Sequence, residues 1–276
     1  MGWRLRIEHS TTFRYPSAAR ASYNEVRQIP LTTAHQTTLE ARIQTSPHAS
    51  QYSYCDYWGT QVVAFNIDGP HHELDVLGQS LVETQPAVSP PEATWGEVDA
   101  ASGRYAELLS PSRYTRPDGG LGTVAGALRA TTPGATVEAV VAWVHDSLEY
   151  VRGVTHVHTS AVESYEAGSG VCQDFAHLAL AVLRAAGIPA RYVSGYLHPD
   201  EEAELGAETA AESHAWVEAW AGDWWGLDPT NGTDIGRRHV VVARGRDYAD
   251  VAPVRGVYAG GAEHDTEVAV RITRTR

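Results

Sequence analysis

The sequence predicts an α+β protein: an antiparallel β-sandwich domain, then a domain in which one helix packs on an antiparallel sheet. Three observations carry this. Apolar and polar residues alternate in short runs between Trp3 and Val76, with turn formers between the runs. An apolar stripe at helical spacing follows Cys172, and two tryptophan-bearing runs flank Gly222-Asp223 like the arms of a hairpin.

The chain has 276 residues, 43% hydrophobic and 20% charged, enough to bury a real core in one large or two modest domains. Against 34 Asp and Glu stand 21 Lys and Arg, a formal charge of −13. That balance argues against nucleic acid or an anionic membrane as a partner. No run approaches the roughly 20 apolar residues of a membrane span, and Met1 to Arg6 begin no apolar signal segment. Cys55 and Cys172 alone make no disulfide framework, and the expected address is the cytoplasm. No cofactor is called for, and oligomeric state is silent.

Taken in order, Trp3, Leu5 and Ile7 alternate with Arg4, Arg6 and Glu8, and alternation returns at Leu39-Ala41-Ile43, Val63-Phe65-Ile67 and Leu74-Val76. Ser46-Pro47, Gly59-Thr60 and Asp68-Gly69-Pro70 punctuate these runs, the spacing of a β-sandwich over residues 1–88. It reads as a structural module, with His71-His72 in a solvated turn rather than on a metal. Prolines from Pro86 to Pro117, ahead of Gly119-Gly120, mark a connector, residues 89–120 being the linker. A short helix is expected within Trp95 to Leu109.

The second domain is assigned to residues 121–276. Thr136 is expected to cap a helix whose Val137, Val140, Val141, Val144 and Leu148 form one stripe. Tyr150 to His158 reads as extended. Ser160-Ala161-Val162-Glu163 fits a capping box for a short helix ended by Gly168. Ala190 to Leu197 reads as a strand and the glutamate-rich residues 199 to 212 as a solvated loop beside the site. Val240-Val241-Val242 and Val268-Val270-Ile272 are expected to complete the second sheet.

The stretch from Gly168 to Gly195 carries the chemistry. Cys172 opens a helix in which Phe175, Leu178, Ala179, Val182, Leu183 and Ala186 recur at helical spacing until Gly187 and Pro189 stop it. Unpaired amides and the helix dipole favour a thiolate at a first turn. A thiolate nucleophile needs a base and a group that orients the base. Ser213 to Trp220 reads as a strand bearing His214, and Trp224 to Asp228 as its antiparallel partner, which brings Asp228 back beside His214. Singly, each residue has a plainer reading: a buried core thiol, one of 13 histidines, a turn former before Pro229. A metal site on Cys172, His177 and His214 is a weaker alternative, since His177 points about 140° away from Cys172 around the helix. A catalytically inactive binding module would show a broken set, and the set is intact. Trp216, Trp220, Trp224 and Trp225 could line a cleft or belong to the core.

GVCQDFAHL, AGIPARYVSGYL, ESHAWVEAW and WWGLDPTNG resemble the core of the bacterial transglutaminase-like superfamily, with its papain-type cysteine-histidine-aspartate arrangement. Residues 245 to 260 resemble the end of that core, and residues 9 to 30 resemble the small β-domain often found ahead of it in bacteria. The likeness covers nearly the whole chain apart from residues 86 to 120. It implies a papain-like, transglutaminase-core second domain, with Cys172 as nucleophile, His214 as base and Asp228 as orienter. The expected reaction is cleavage of a peptide or peptide-like amide through an acyl-thioester, with transfer to a primary amine as the alternative. The Cys172 amide is one expected donor to the oxyanion, and Tyr150 or a tryptophan is a candidate for the other.

Overall fold

The computed structural model describes residues 2–260 and 264–276. The alternating N-terminal runs form strands β1 (Trp3–Ala19), β2 (Ala21–Val26), β3 (Gln36–Ser46), β4 (Gln51–Cys55), β5 (Gln61–Ile67) and β6 (His71–Thr84). β1 turns Trp3, Leu5, Ile7, His9, Thr11 and Tyr15 to one buried face, the period of two that a half-buried strand requires. It pairs antiparallel with β6, which pairs with β3, while β2, β5 and β4 form a second antiparallel sheet. The two sheets close over Tyr15, Val26, Ile43, Phe65, Leu74 and Val76. His71 is not in a solvated turn. It opens β6, is 5% exposed, and meets the Tyr15 ring edge-on at 5.4 Å.

The connector carries two short helices rather than one, α1 (Trp95–Ala101) and α2 (Ala106–Leu109). It is fastened to the helical part of the second domain: Trp95 Nε1 donates to the Ala130 carbonyl at 3.1 Å, and the Arg129 guanidinium lies 3.4 Å from the Trp95 ring centre. α3 (Gly119–Leu128) is capped by Asp118. α4 (Pro133–Ser147) starts one turn earlier than its stripe suggests. Thr132 is the cap, because Pro133 at the first helical position has no amide to leave unpaired. Thr136 is buried inside the first turn, accepting from the Ala130 amide at 2.9 Å. Val137, Val140, Val141, Val144 and Leu148 are all buried, as the stripe predicts.

β7 (Glu149–Tyr150) pairs in parallel with β8 (Ser169–Gly170), and the chain after Val151 turns instead of running extended. α5 (Ala161–Ala167) has the Ser160–Glu163 capping box and ends at Gly168, whose φ of 65° is a left-handed cap. α6 (Cys172–Ala185) is buried from Gln173 to Arg184, so it is the central rod of the domain rather than a surface helix.

The remaining elements are β9 (Ala190–Leu197), β10 (Glu208–Ala211), β11 (Ser213–Trp220), β12 (Trp224–Asp228), β13 (Thr233–Asp234), β14 (His239–Gly245), α7 (Tyr248–Val251), β15 (Val254–Ala259) and β16 (Asp265–Arg274). The sheet beside α6 runs β13-β12-β11-β9-β14. Ala215, Val217, Ala219 and Tyr192 share the core of α6.

Val268-Val270-Ile272 does not complete this sheet. β16 pairs with β1, setting Ile272 opposite Ile7 and Val270 opposite His9, and β15 pairs with β2. An alternating run carries no record of its partner, and here the partner lies at the other end of the chain. The stretch 199 to 212 is likewise not all loop, since β10 adds to the edge of β16. Trp3, Leu5, Ile7, Val270 and Ile272 join the α6 core, so one face of β1 serves both halves of the protein. A polar contact also crosses this apolar seam: His9 Nδ1 lies 2.9 Å from the Tyr196 hydroxyl.

Candidate active site

Cys172 is the first residue of α6, where a helix amide has no acceptor within the helix. Gly170 makes the approach possible, because a Cβ there would sit 2.7 Å from the Asp174 Cβ. Asp174 reaches back over the first turn. Its Oδ2 accepts from the Val171 amide at 2.8 Å and from the Thr155 hydroxyl at 2.7 Å. Gln173 Nε2 donates to the Val157 carbonyl at 3.3 Å, so the turns after β7 are tied to the start of the Cys172 helix. Burial pushes the Asp174 carboxyl up, and these two hydrogen bonds oppose it. Cys172 is partly buried and Cys55 exposed, and both are free thiols.

His214 lies on β11 directly opposite Gly195 of β9. Its Nε2 is 2.6 Å from Asp228 Oδ2. Asp228 is wholly buried and also accepts from the Thr230 amide at 3.0 Å, the Asn231 amide at 3.2 Å and Asn231 Nδ2 at 2.6 Å. Asp228 is therefore a turn former and the partner of His214 at once. With Nε2 committed to Asp228, Nδ1 is the ring nitrogen left for Cys172. Burial works against a charge on His214, but the pull of Asp228 and Cys172, to which the charged ring donates, outweighs it, and its pKa is pushed up to about 10. Asp228 lies far below the usual carboxylate range: burial opposes its charge, and the hydrogen bonds of His214 and His239 override that.

Of the three residues that the sequence singles out, His214 and Asp228 are joined directly, and Cys172 is near enough to act on the same imidazole. His177 does not join them. It is fully buried, stacked on Tyr114 at 4.7 Å, and accepts from the Tyr248 amide at 3.3 Å. Cys172, His177 and His214 therefore form no metal site. Among the described residues, ligand atoms of His214, Asp228 and His239 lie within 4.8 Å of one another. The 2.6 Å between His214 and Asp228 is a hydrogen bond, shorter than the roughly 3.3 Å that separates two ligands on a tetrahedral zinc with bonds of about 2.0 Å.

His239 is the site residue that sequence reasoning missed. Its Nε2 lies 3.3 Å from Asp228 Oδ2. No motif marks it; it precedes a valine run, and only the pairing of β14 with β9 brings it to Asp228. The tryptophans divide. Trp216 and Trp225 are core, whereas Trp220 and Trp224 are half-buried against Tyr105. At the rim, Glu212 pairs with Arg152 at 3.1 Å, linking the residue two before His214 to the chain just after Tyr150.

Cys172, His214 and Asp228 fall within a stretch that matches a family of known proteins, and His239 lies beyond it. Residues 123–229 match the transglutaminase-like superfamily and residues 5–83 the bacterial transglutaminase-like N-terminal region. The chain belongs to the transglutaminase-like superfamily. An uncharacterized protein of Mycobacterium leprae is 44% identical over 278 residues, 99% of each chain. An uncharacterized protein of Mycobacterium tuberculosis is 31% identical, covering 95% of this chain and 89% of its own. Among solved structures, a proposed cysteine protease from Cytophaga hutchinsonii shares the fold with a TM-score of 0.81 at 24% identity, over 100% of this chain and 92% of that one.

Proposed function

We propose that this protein is a cysteine-nucleophile enzyme that cleaves a peptide or peptide-like amide through an acyl-thioester. The observation that carries the reading is the 2.6 Å bond between His214 and buried Asp228, with Cys172 acting on the same imidazole from the start of α6. In this scheme the Cys172 sulfur attacks the carbonyl carbon, the C–N bond breaks, and His214 gives its Nδ1 proton to the departing amine. Water, giving a proton back to His214, then attacks the thioester and releases the acid and the Cys172 thiol. Asp228 keeps the imidazole in the required tautomer and balances its charge. The Cys172 amide, unpaired at the helix start, is one donor to the oxyanion. Tyr150 is the second candidate: burial and then the nearby Cys172 charge both push its hydroxyl pKa up, as expected for a phenol beside the sulfur.

Transfer to a primary amine is the second reading, favoured by the acidic residues ahead of His214. Their pull on a cation is weak, because Glu212 already faces Arg152 and both are exposed to screening salt. Hydrolysis is therefore the preferred outcome. A panel of peptide-like amides, with millimolar primary amine added to any that turns over and products partitioned by mass spectrometry, tests this. Free acid is expected; a dominant amine adduct would make the protein a transferase. The cytoplasmic address belongs to the same proposal, supported by two thiols that are both free.

A further inference from the structure

Asp228 Oδ2 carries a second histidine whose chemistry is legible from its other nitrogen. His239 opens β14 and is 5% exposed. Its Nδ1 faces the Gly236 amide at 3.3 Å, and an amide only donates, so Nδ1 must accept. The ring proton of a neutral His239 therefore sits on Nε2, the nitrogen 3.3 Å from Asp228 Oδ2. Trp216 meets this ring edge-on at 5.4 Å. Asp228 Oδ2 thus receives three donors: His214, Asn231 and, at the longest distance, His239.

We infer that His239 is a positioning residue that shares the negative charge of Asp228 with His214, so that His214 does not hold its proton too tightly to pass it to a leaving amine. The inference rests on the proposed roles of Cys172, His214 and Asp228. The groups facing His239 agree with a neutral donor. Burial lowers its pKa, Asp228 pulls the other way, and the positive His214 of β11 and Arg238 beside it add to the lowering. Cys172 of α6 acts on His214, one residue further along the chain of contacts. His239→Phe would leave a buried carboxylate oxygen with one donor fewer, and the uncompensated charge would then draw more strongly on His214.

Nitrogen-15 NMR of histidine-labelled protein reads both ends of this chain without any substrate. In the unaltered protein His239 should be a neutral ring protonated on Nε2 at neutral pH; a ring protonated on Nδ1, or a cation, overturns the inference whether or not any variant folds. In His239→Phe the pH at which His214 loses its proton should rise by roughly half to one unit. In His239→Gln, whose amide can still donate to Asp228, it should return towards the original value. An unmoved or lowered midpoint in folded His239→Phe also overturns the inference, because a merely structural side chain would not raise it. Failure of the underlying functional reading shows separately, as a Cys172 in the unaltered protein that iodoacetamide modifies no faster than an ordinary thiol at about pH 6.

Discussion

Gly195 lies directly across the sheet from His214, and no larger residue fits there. A Cβ at Gly195 would collide with the Val240 carbonyl oxygen and come within 2.5 Å of the Trp216 ring. Trp216 in turn lies edge-on to His239. The bare glycine lets the indole pack beneath both histidines of the site. Gly195→Ala should therefore destabilise the protein by about 1–3 kcal/mol, as overpacking of a dense core does. Urea unfolding measures this, and a midpoint equal to the unaltered protein's would show that the strand shifts freely.

Asp228→Asn should leave a folded protein whose turnover falls by about two to four orders of magnitude. An amide can no longer fix the His214 tautomer or balance an imidazolium. The turn itself should survive, because the asparagine carbonyl can still accept from Thr230 and Asn231. Near-normal turnover would reduce Asp228 to a turn residue.

Two buried histidines should make the protein acid-labile. Burial lowers His9 to about 4 and His177 to about 3. Unfolded, each would titrate near 6.5, so the unfolded state binds the extra protons as pH falls below about 6.5. Their stabilisation is complete above that pH and is lost progressively as pH falls through the folded values. His214 acts with the opposite sign: its pKa is raised, so its contribution is full below about 6.5 and fades as pH rises towards 10. Stability should thus drop by a few kcal/mol between about pH 6.5 and 4. Urea midpoints at pH 7, 5.5 and 4.5 would show the fall, and a flat series would contradict neutral burial of His9 and His177.

Glu212→Gln should change little. The Arg152–Glu212 pair is 72% and 56% exposed, and such pairs contribute about 0–1 kcal/mol. If hydrolysis is the natural outcome, the ratio of free acid to amine adduct should also stay put. A shift of that ratio towards acid would identify Glu212 as an amine-binding group and favour the transfer reading.

What the sequence made legible was whatever is encoded locally. The stripe from Phe175 to Ala186, the Ser160–Glu163 box and the hairpin around Gly222 all depend on neighbours in the chain, and each forms as the pattern predicts. The hairpin made Asp228 beside His214 readable for the same reason, whereas Cys172 joining them was legible only through the resemblance of GVCQDFAHL, ESHAWVEAW and WWGLDPTNG to the transglutaminase-like core. Partners distant in sequence were not readable. Val268-Val270-Ile272 would suit either sheet, and its choice of β1 depends on a fold already formed. His239 looks like the polar end of a valine strand until β14 docks beside β9. Thr136 is a different case: the N-cap signal stands one turn earlier in Thr132-Pro133, and the proline is the stronger of the two cues.

Iodoacetamide at about pH 6, followed by peptide mapping, puts the central question to the two thiols directly. Cys55 is exposed and Cys172 only partly so, and access alone would label Cys55 first. An ordinary thiol, with a pKa near 8.5, is almost wholly protonated at that pH and reacts slowly wherever it sits. Cys172 differs in having beside it an imidazole whose pKa is about 10, a positive neighbour that Cys55 lacks. The expected result is modification of Cys172 well ahead of Cys55, with the preference lost in His214→Ala. Labelling of Cys55 first would contradict Cys172 as the nucleophile.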